Sequence, residues 1–194
     1  MTAPREALLL RCVEALQADG FSHLSLREIA TATGTSHRML LYHFGSRDGL
    51  LAAIVGDIEA RQRAALAELT EWSDILTATR SFWARLADPA LAPAERLFFE
   101  VYAQAIYGRE WTATFRESVI DAWEGPLIEF VRRAGYDEDT ARAAARLGLA
   151  VTRGLLLDLL MTGDRTAVDR ALELYLTLLS SAGPSRPPEP SSSA

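Results

Sequence analysis

Apolar side chains recur along this chain at spacings of three and four, the mark of helices that turn one face inward. Leu8, Leu9, Cys12, Val13 and Leu16 fall at i, i+1, i+4, i+5 and i+8, which predicts a first helix stopped by Gly20. Ser25 followed by Glu28 reads as a capping box for a short second helix carrying Leu26, Ile29 and Ala30 and ending at Gly34. Thr35 or Ser36 can cap a third helix through His43, with Leu40 and Phe44 directed to the core. Gly45 and Ser46 break it, and Ser46 caps a long amphipathic segment from about Arg47 to Leu69. Farther on, stops at Asp88-Pro89, Pro93, Gly108, Gly135 and Gly163-Asp164 predict helices near 73–87, 94–107, 110–134, 138–162 and 165–181. Pro126 lies inside the third of these and is expected to kink or split it. No run sustains the polar and apolar alternation of a strand. The expectation is an all-α chain whose last twelve residues, 183–194, with four Pro and four Ser, form a disordered tail.

Two short helices joined by a tight turn, the second rich in basic and aromatic residues, form a helix-turn-helix pattern. Ala30 is small enough for the two helices to cross closely, Gly34 makes the turn, and Ile29, Leu40 and Phe44 lock the crossing. Exposed on the third helix would be Ser36, His37, Arg38, Met39 and Tyr42. Such side chains suit a major groove, where Arg is the commonest bidentate reader of guanine and Met can touch a thymine methyl.

Those residues carry a family resemblance. Gly20-Phe21, the run Leu24 to Ala30, Gly34-Thr35-Ser36, Leu40 to Phe44 and Gly45 to Leu51 keep the order and spacing of the TetR family of bacterial transcriptional regulators, over roughly residues 5–51. The resemblance implies an N-terminal helix-turn-helix domain (1–46) joined by a long helix to a helical effector-binding and dimerisation domain (47–182). Helix 36–44 would enter the major groove. Arg47, with Tyr42 or the adjacent His43, would hold phosphates, and Ser25 and Thr35 would add backbone contacts. The family more often has Tyr at the position of Leu41, which is why the phosphate contact moves to Tyr42 or His43.

Composition narrows the remaining chemistry. All 20 basic residues are Arg; with no Lys there is neither a Walker-type phosphate Lys nor a Schiff base for pyridoxal phosphate. No Glu-x-x-His or Gly-x-Ser-x-Gly motif occurs and no His follows residue 43, so neither catalytic residues, metal ligands nor a cofactor are expected. The single Cys12 sits on an apolar stripe and reads as a core residue in a reducing, cytoplasmic setting. The run 174–185, free of charge, is too short for a bilayer. Charge divides unevenly: residues 1–48 hold five Arg and five acids, whereas 49–194 hold fifteen Arg and twenty-one acids. Any basic patch for DNA is therefore local, and Arg38 and Arg47 would otherwise be solvated surface charges.

Phe99, Tyr102, Tyr107, Trp111 and Phe115 cluster within seventeen residues; with Trp123 they are candidates for lining an effector pocket, although core packing explains aromatics equally well. On helix 138–162, Ala141, Ala145, Gly148 and Thr152 make a strip of small side chains, and Leu172, Tyr175, Leu176 and Leu179 share a face of the last helix. In an isolated domain both faces would be core. Under the TetR resemblance they would form a four-helix interface between two copies. The expected function is a ligand-responsive regulator, a repressor acting as a homodimer on a palindromic double-stranded operator and released by a small, largely apolar effector. Two rivals are a DNA-binding dimeric adaptor without effector and a helical-bundle enzyme.

Overall fold

A computed structural model describes residues 4–19, 24–72 and 74–182. Among them the regular structure is helical: α1 (Pro4–Asp19), α2 (Leu26–Ala32), α3 (His37–Phe44), α4 (Arg47–Trp72), α5 (Ile75–Leu86), α6 (Ala92–Ile106), α7 (Ala113–Ser118), α8 (Asp121–Arg133), α9 (Glu138–Thr162) and α10 (Arg165–Ala182). Short 3-10 turns at Pro89–Leu91 and Glu110–Thr112 lead into α6 and α7. The stop at Gly20 and the tail 183–194 lie outside the described residues.

Two later helices are capped by carboxylates that the sequence reading did not single out. Asp74 accepts from the amides of Leu76 and Thr77, and Asp137 from Thr140. The α5 cap explains why that helix starts at Ile75 rather than at 73. The segment 110–134 departs furthest from its expected form. It splits into a 3-10 turn, α7 and α8, and the break falls at Val119 and Ile120. Pro126 instead lies inside α8. Arg153 of α9 donates from Nη2 to the Val119 carbonyl at 2.6 Å, so a tertiary partner takes up a backbone acceptor at the break.

Two hydrophobic clusters dominate. The first joins Leu8, Cys12, Val13 and Leu16 of α1 to Ile29, Leu40 and Phe44, and runs on through Leu50, Ile54 and Val55 of α4 to Leu97 and Val101 of α6. The three N-terminal helices therefore share one core with the first half of α4 and with α6. Cys12 is fully buried in it, and burial pushes its thiol up to about 11. The second cluster packs Leu66 of α4 with Phe82, Trp83, Trp123, Leu156, Val168, Leu172 and Leu176. Outside it, Arg80 of α5 makes a bidentate pair with Glu173 of α10, both bonds 2.8 Å.

The strip expected to mediate dimerisation faces the other way. Ala141, Ala145, Leu172 and Leu176 are buried within the subunit, while Gly148, Thr152, Tyr175 and Leu179 line its interior cavity with Ala145. The physical reason is that α9 and α10 are apolar on two sides. Their opposite faces expose Leu147, Ala150, Gly154, Leu157 and Met161 at spacings of three and four, and Ala167, Ala171, Leu174 and Leu178 likewise.

Candidate nucleic-acid interface and interior cavity

The helix-turn-helix is built by its caps. Ser25 Oγ accepts from the Glu28 amide at 3.4 Å, and the Glu28 carboxylate accepts from the Ser25 amide (2.8 Å) and hydroxyl (2.7 Å), which completes the capping box. The turn after α2 closes through Thr35 N to Ala30 O at 2.9 Å. Ser36 caps α3 by accepting from the Met39 amide at 3.2 Å, so α3 begins at His37. At its other end Gly45 takes φ +74°, and a Cβ on Gly49 would drive into the Phe44 carbonyl oxygen. Glycine at both positions lets α4 start directly against the end of α3.

With Leu40 and Phe44 buried, α3 presents Arg38, Met39 and Tyr42 outward, Tyr42 being 79% exposed; His37 and His43 are half-buried. Arg38 and Tyr42 stand four residues apart on one face. The His43 ring meets Tyr42 edge-on at 4.9 Å, and its carbonyl accepts from Arg5 Nε at 3.4 Å while the Arg5 guanidinium lies over Phe44. Thus α1 braces the C-terminal end of the exposed helix. Ser25 and Ser36 remain exposed but serve as caps, and Thr35 is half-buried. Arg47 is half-buried and donates from Nε to the Leu24 carbonyl at 2.8 Å, tying the start of α4 to the entrance of α2.

Residues 8–54 match the family model for bacterial regulatory proteins, tetR family. The match is confined to this N-terminal unit, which is where the chain resembles the TetR family. Among the described residues the architecture is all-α, as expected. Solved structures share the fold over nearly its whole length. A transcriptional regulator from Rhodococcus sp. RHA1 superposes with a TM-score of 0.77 at 20% identity, covering 95% of this chain and 100% of that one. A TetR-family regulator from Pectobacterium atrosepticum gives 0.70 at 19% identity, covering 94% and 95%, and one from Rhodococcus sp. gives 0.66 at 23%, covering 91% and 97%. No curated protein matches the chain. None of the described helices is long and apolar enough to cross a membrane.

Behind α4 lies an interior cavity of about 100 Å³. Its walls include Leu66, Phe82, Leu86, Phe98, Trp123 and Leu127, and its polar groups include Glu59 and Gln62 from α4, Glu95 from α6 and Arg153 from α9. Of the aromatics named from the sequence, only Trp123 lines it. Phe115 is buried in the first cluster, stacked edge-on to Phe98 at 5.8 Å, and Trp111 packs against that cluster. Phe99 and Tyr102 border a separate open groove between α6 and α9. Tyr107 is 79% exposed just past the end of α6 and borders neither. The aromatic cluster is mostly core, because residues 98–115 fold back on themselves through α6 and α7.

The polar cavity residues were missed by the sequence reading. Trp123 donates from Nε1 to Glu59 Oε2 at 2.6 Å, with Arg63 Nη1 at 3.6 Å and Arg153 Nη2 at 4.0 Å from the same oxygen. Gln62 donates from Nε2 to Glu95 Oε1 at 2.9 Å and accepts from Arg85 Nε at 3.2 Å. Burial raises the pKa of both carboxyls, Glu95 to about 7. A signal was present: Val55, Glu59, Gln62 and Leu66 follow one another at spacings of four, three and four, so two polar residues occupy core-facing positions of α4.

Proposed function

We propose that this chain is a ligand-responsive TetR-family repressor that binds a palindromic operator as a homodimer and leaves it when a small, largely apolar effector occupies the cavity. The division at residue 46 between a DNA-reading head and an effector-binding body, and a cytoplasmic setting, belong to the same reading. Within it, Arg38, Met39 and Tyr42 of α3 reach the bases and backbone of one half-site, with His37 and His43 at the margins. Arg47 joins them at a phosphate with the guanidinium nitrogens other than its Nε, which holds Leu24.

The observation that carries the reading is that one helix serves both places. At its N-terminus α4 holds the reading unit through Arg47, and from Glu59 to Leu66 it forms a wall of the cavity. Arg47 and Glu59 are twelve residues apart, about 18 Å along a helix. An effector that fits the cavity better when α4 is displaced moves the head with it and disfavours docking on DNA by its differential affinity for the two states.

The exposed stripes of α9 and α10 support a dimer through their outward faces. Ala150 and Gly154 let a partner helix approach closely, and Leu147, Leu157, Met161, Leu174 and Leu178 supply apolar area. Two half-sites on DNA require two heads. Selection of bound duplexes from a random pool tests the function directly. The expected product is an inverted repeat retarded by the full-length dimer; no enrichment with a folded sample would overturn the proposal.

A further inference from the structure

The effector reading leaves open what the cavity recognises besides shape, and its two carboxylates are not equivalent. Glu59 is compensated: it takes the Trp123 indole N–H and lies within 4.0 Å of both Arg63 and Arg153. Glu95 is not. Its Oε1 accepts from the neutral Gln62 amide, and among the described residues no donor reaches its Oε2. Arg85 acts at the far side of that amide, donating to Gln62 Oε1 and so orienting the amide nitrogen toward Glu95. Burial leaves Glu95 4% exposed. Phe82, Phe98, Trp123 and aliphatic side chains line the same cavity, with Arg153 over the Phe98 ring and Arg63 over the Trp123 ring.

An anionic ligand would meet two acids here. Among the described residues the one cation on the wall, Arg153, is already committed to the Val119 carbonyl and lies over the Phe98 and Tyr102 rings. A cationic ligand would meet the opposite: a buried carboxylate with one oxygen that takes no donor and with its nearby cation, Arg85, bonded to Gln62 rather than to the carboxylate itself, in surroundings where such a pair is little screened. The volume, somewhat below that of a cavity known to hold benzene, suits a body of about one ring.

Resting on the effector-pocket reading, we infer that the cavity takes an apolar amine in its protonated form, the ammonium docking on Glu95 and the apolar body lying among Phe82, Phe98, Trp123 and Leu66. Gln62 positions the carboxylate, and since Gln62 and Glu59 stand on α4, the ligand's charge is read next to the helix that would move the DNA-reading head.

Benzylamine, benzyl alcohol and benzoate share one ring and differ in the charge of the exocyclic group. Titrated calorimetrically into the full-length protein at pH 7.4, benzylamine is expected to bind at least ~10-fold more tightly than the alcohol, about 1.4 kcal/mol, and benzoate most weakly. In Glu95→Gln, whose folding is checked by circular dichroism and urea unfolding, the amine should lose its advantage and bind no more tightly than the alcohol does to the same variant. Equal binding of amine and alcohol by the native protein, tightest binding of benzoate, or an amine preference that survives in Glu95→Gln would overturn the charge inference alone. If none of the three binds, the effector-pocket reading falls and the inference with it. The native series decides the matter even if the variant fails to fold.

Discussion

Glu95 should make the fold less stable as the medium becomes more alkaline, and the size of the effect follows from its surroundings. In the unfolded chain its carboxyl titrates near the ordinary value of 4.5, whereas burial among apolar walls, with Glu59 nearby, lifts it to about 7. Between those two values the folded state retains a proton that the unfolded state has released. The native protein then binds more protons than the unfolded one, so stability declines as pH rises through this interval and levels off above it. Each pH unit is worth about 1.4 kcal/mol at full difference, which gives on the order of 3 kcal/mol over the window. Glu95→Gln removes the titration while its amide oxygen can still accept from Gln62. Urea unfolding of both proteins, at one fixed protein concentration because the stability of the proposed dimer would depend on it, measures the difference. At pH 4.5 the two should agree within ~1 kcal/mol; at pH 8 the variant should be the more stable by about 2–3 kcal/mol. Glu59 is also raised by burial and leaves some slope in both proteins; because its charge helps to raise Glu95, the difference contains their coupling as well. A difference that stays flat from pH 4.5 to 8 would show that Glu95 is not desolvated as described.

On a selected operator, Arg38→Ala should cost about 1–3 kcal/mol and relax preference at one base pair; competition with single-base variants of the operator checks it, and an unchanged preference would remove Arg38 from base reading. Arg47→Ala should weaken binding to all duplexes, lower the salt slope by about one, and reduce stability by about 1 kcal/mol through loss of the Leu24 contact, which salt titrations and denaturation measure separately. Leu174→Arg combined with Met161→Arg should give monomers by sedimentation, whereas changes on the inward face, such as Leu172→Ala, should instead lower stability by about 2–5 kcal/mol. The Cys12 thiol, buried and with a pKa of about 11, should react with a maleimide at pH 8 only as fast as the protein opens; rapid stoichiometric labelling of native protein would contradict its burial.

Much of the local structure was legible because it is enforced locally. The capping box at Ser25 and Glu28, the cap at Ser36, and glycine at 45 and 49 specify α2, α3 and the start of α4 through contacts only a few residues apart, and α3 takes its exposed face from the same short-range pattern. What lies inside the second half was not legible in this way. The residues Ala141 to Thr152 and Leu147 to Met161 form two apolar stripes on one helix, and a one-dimensional pattern cannot say which of them meets the rest of the subunit.

The chain by itself determined that it would be helical, where most helices begin, and that the third one presents Arg38, Met39 and Tyr42. Tertiary packing alone decided that Glu59, Gln62, Glu95 and Arg153, drawn from α4, α6 and α9, face one cavity, that the aromatics around Tyr102 mostly fill core, and which side of α9 and α10 remains uncovered. Caps and turns are fixed by neighbours in sequence, whereas a cavity and a free face exist only after distant helices have excluded water from everything else.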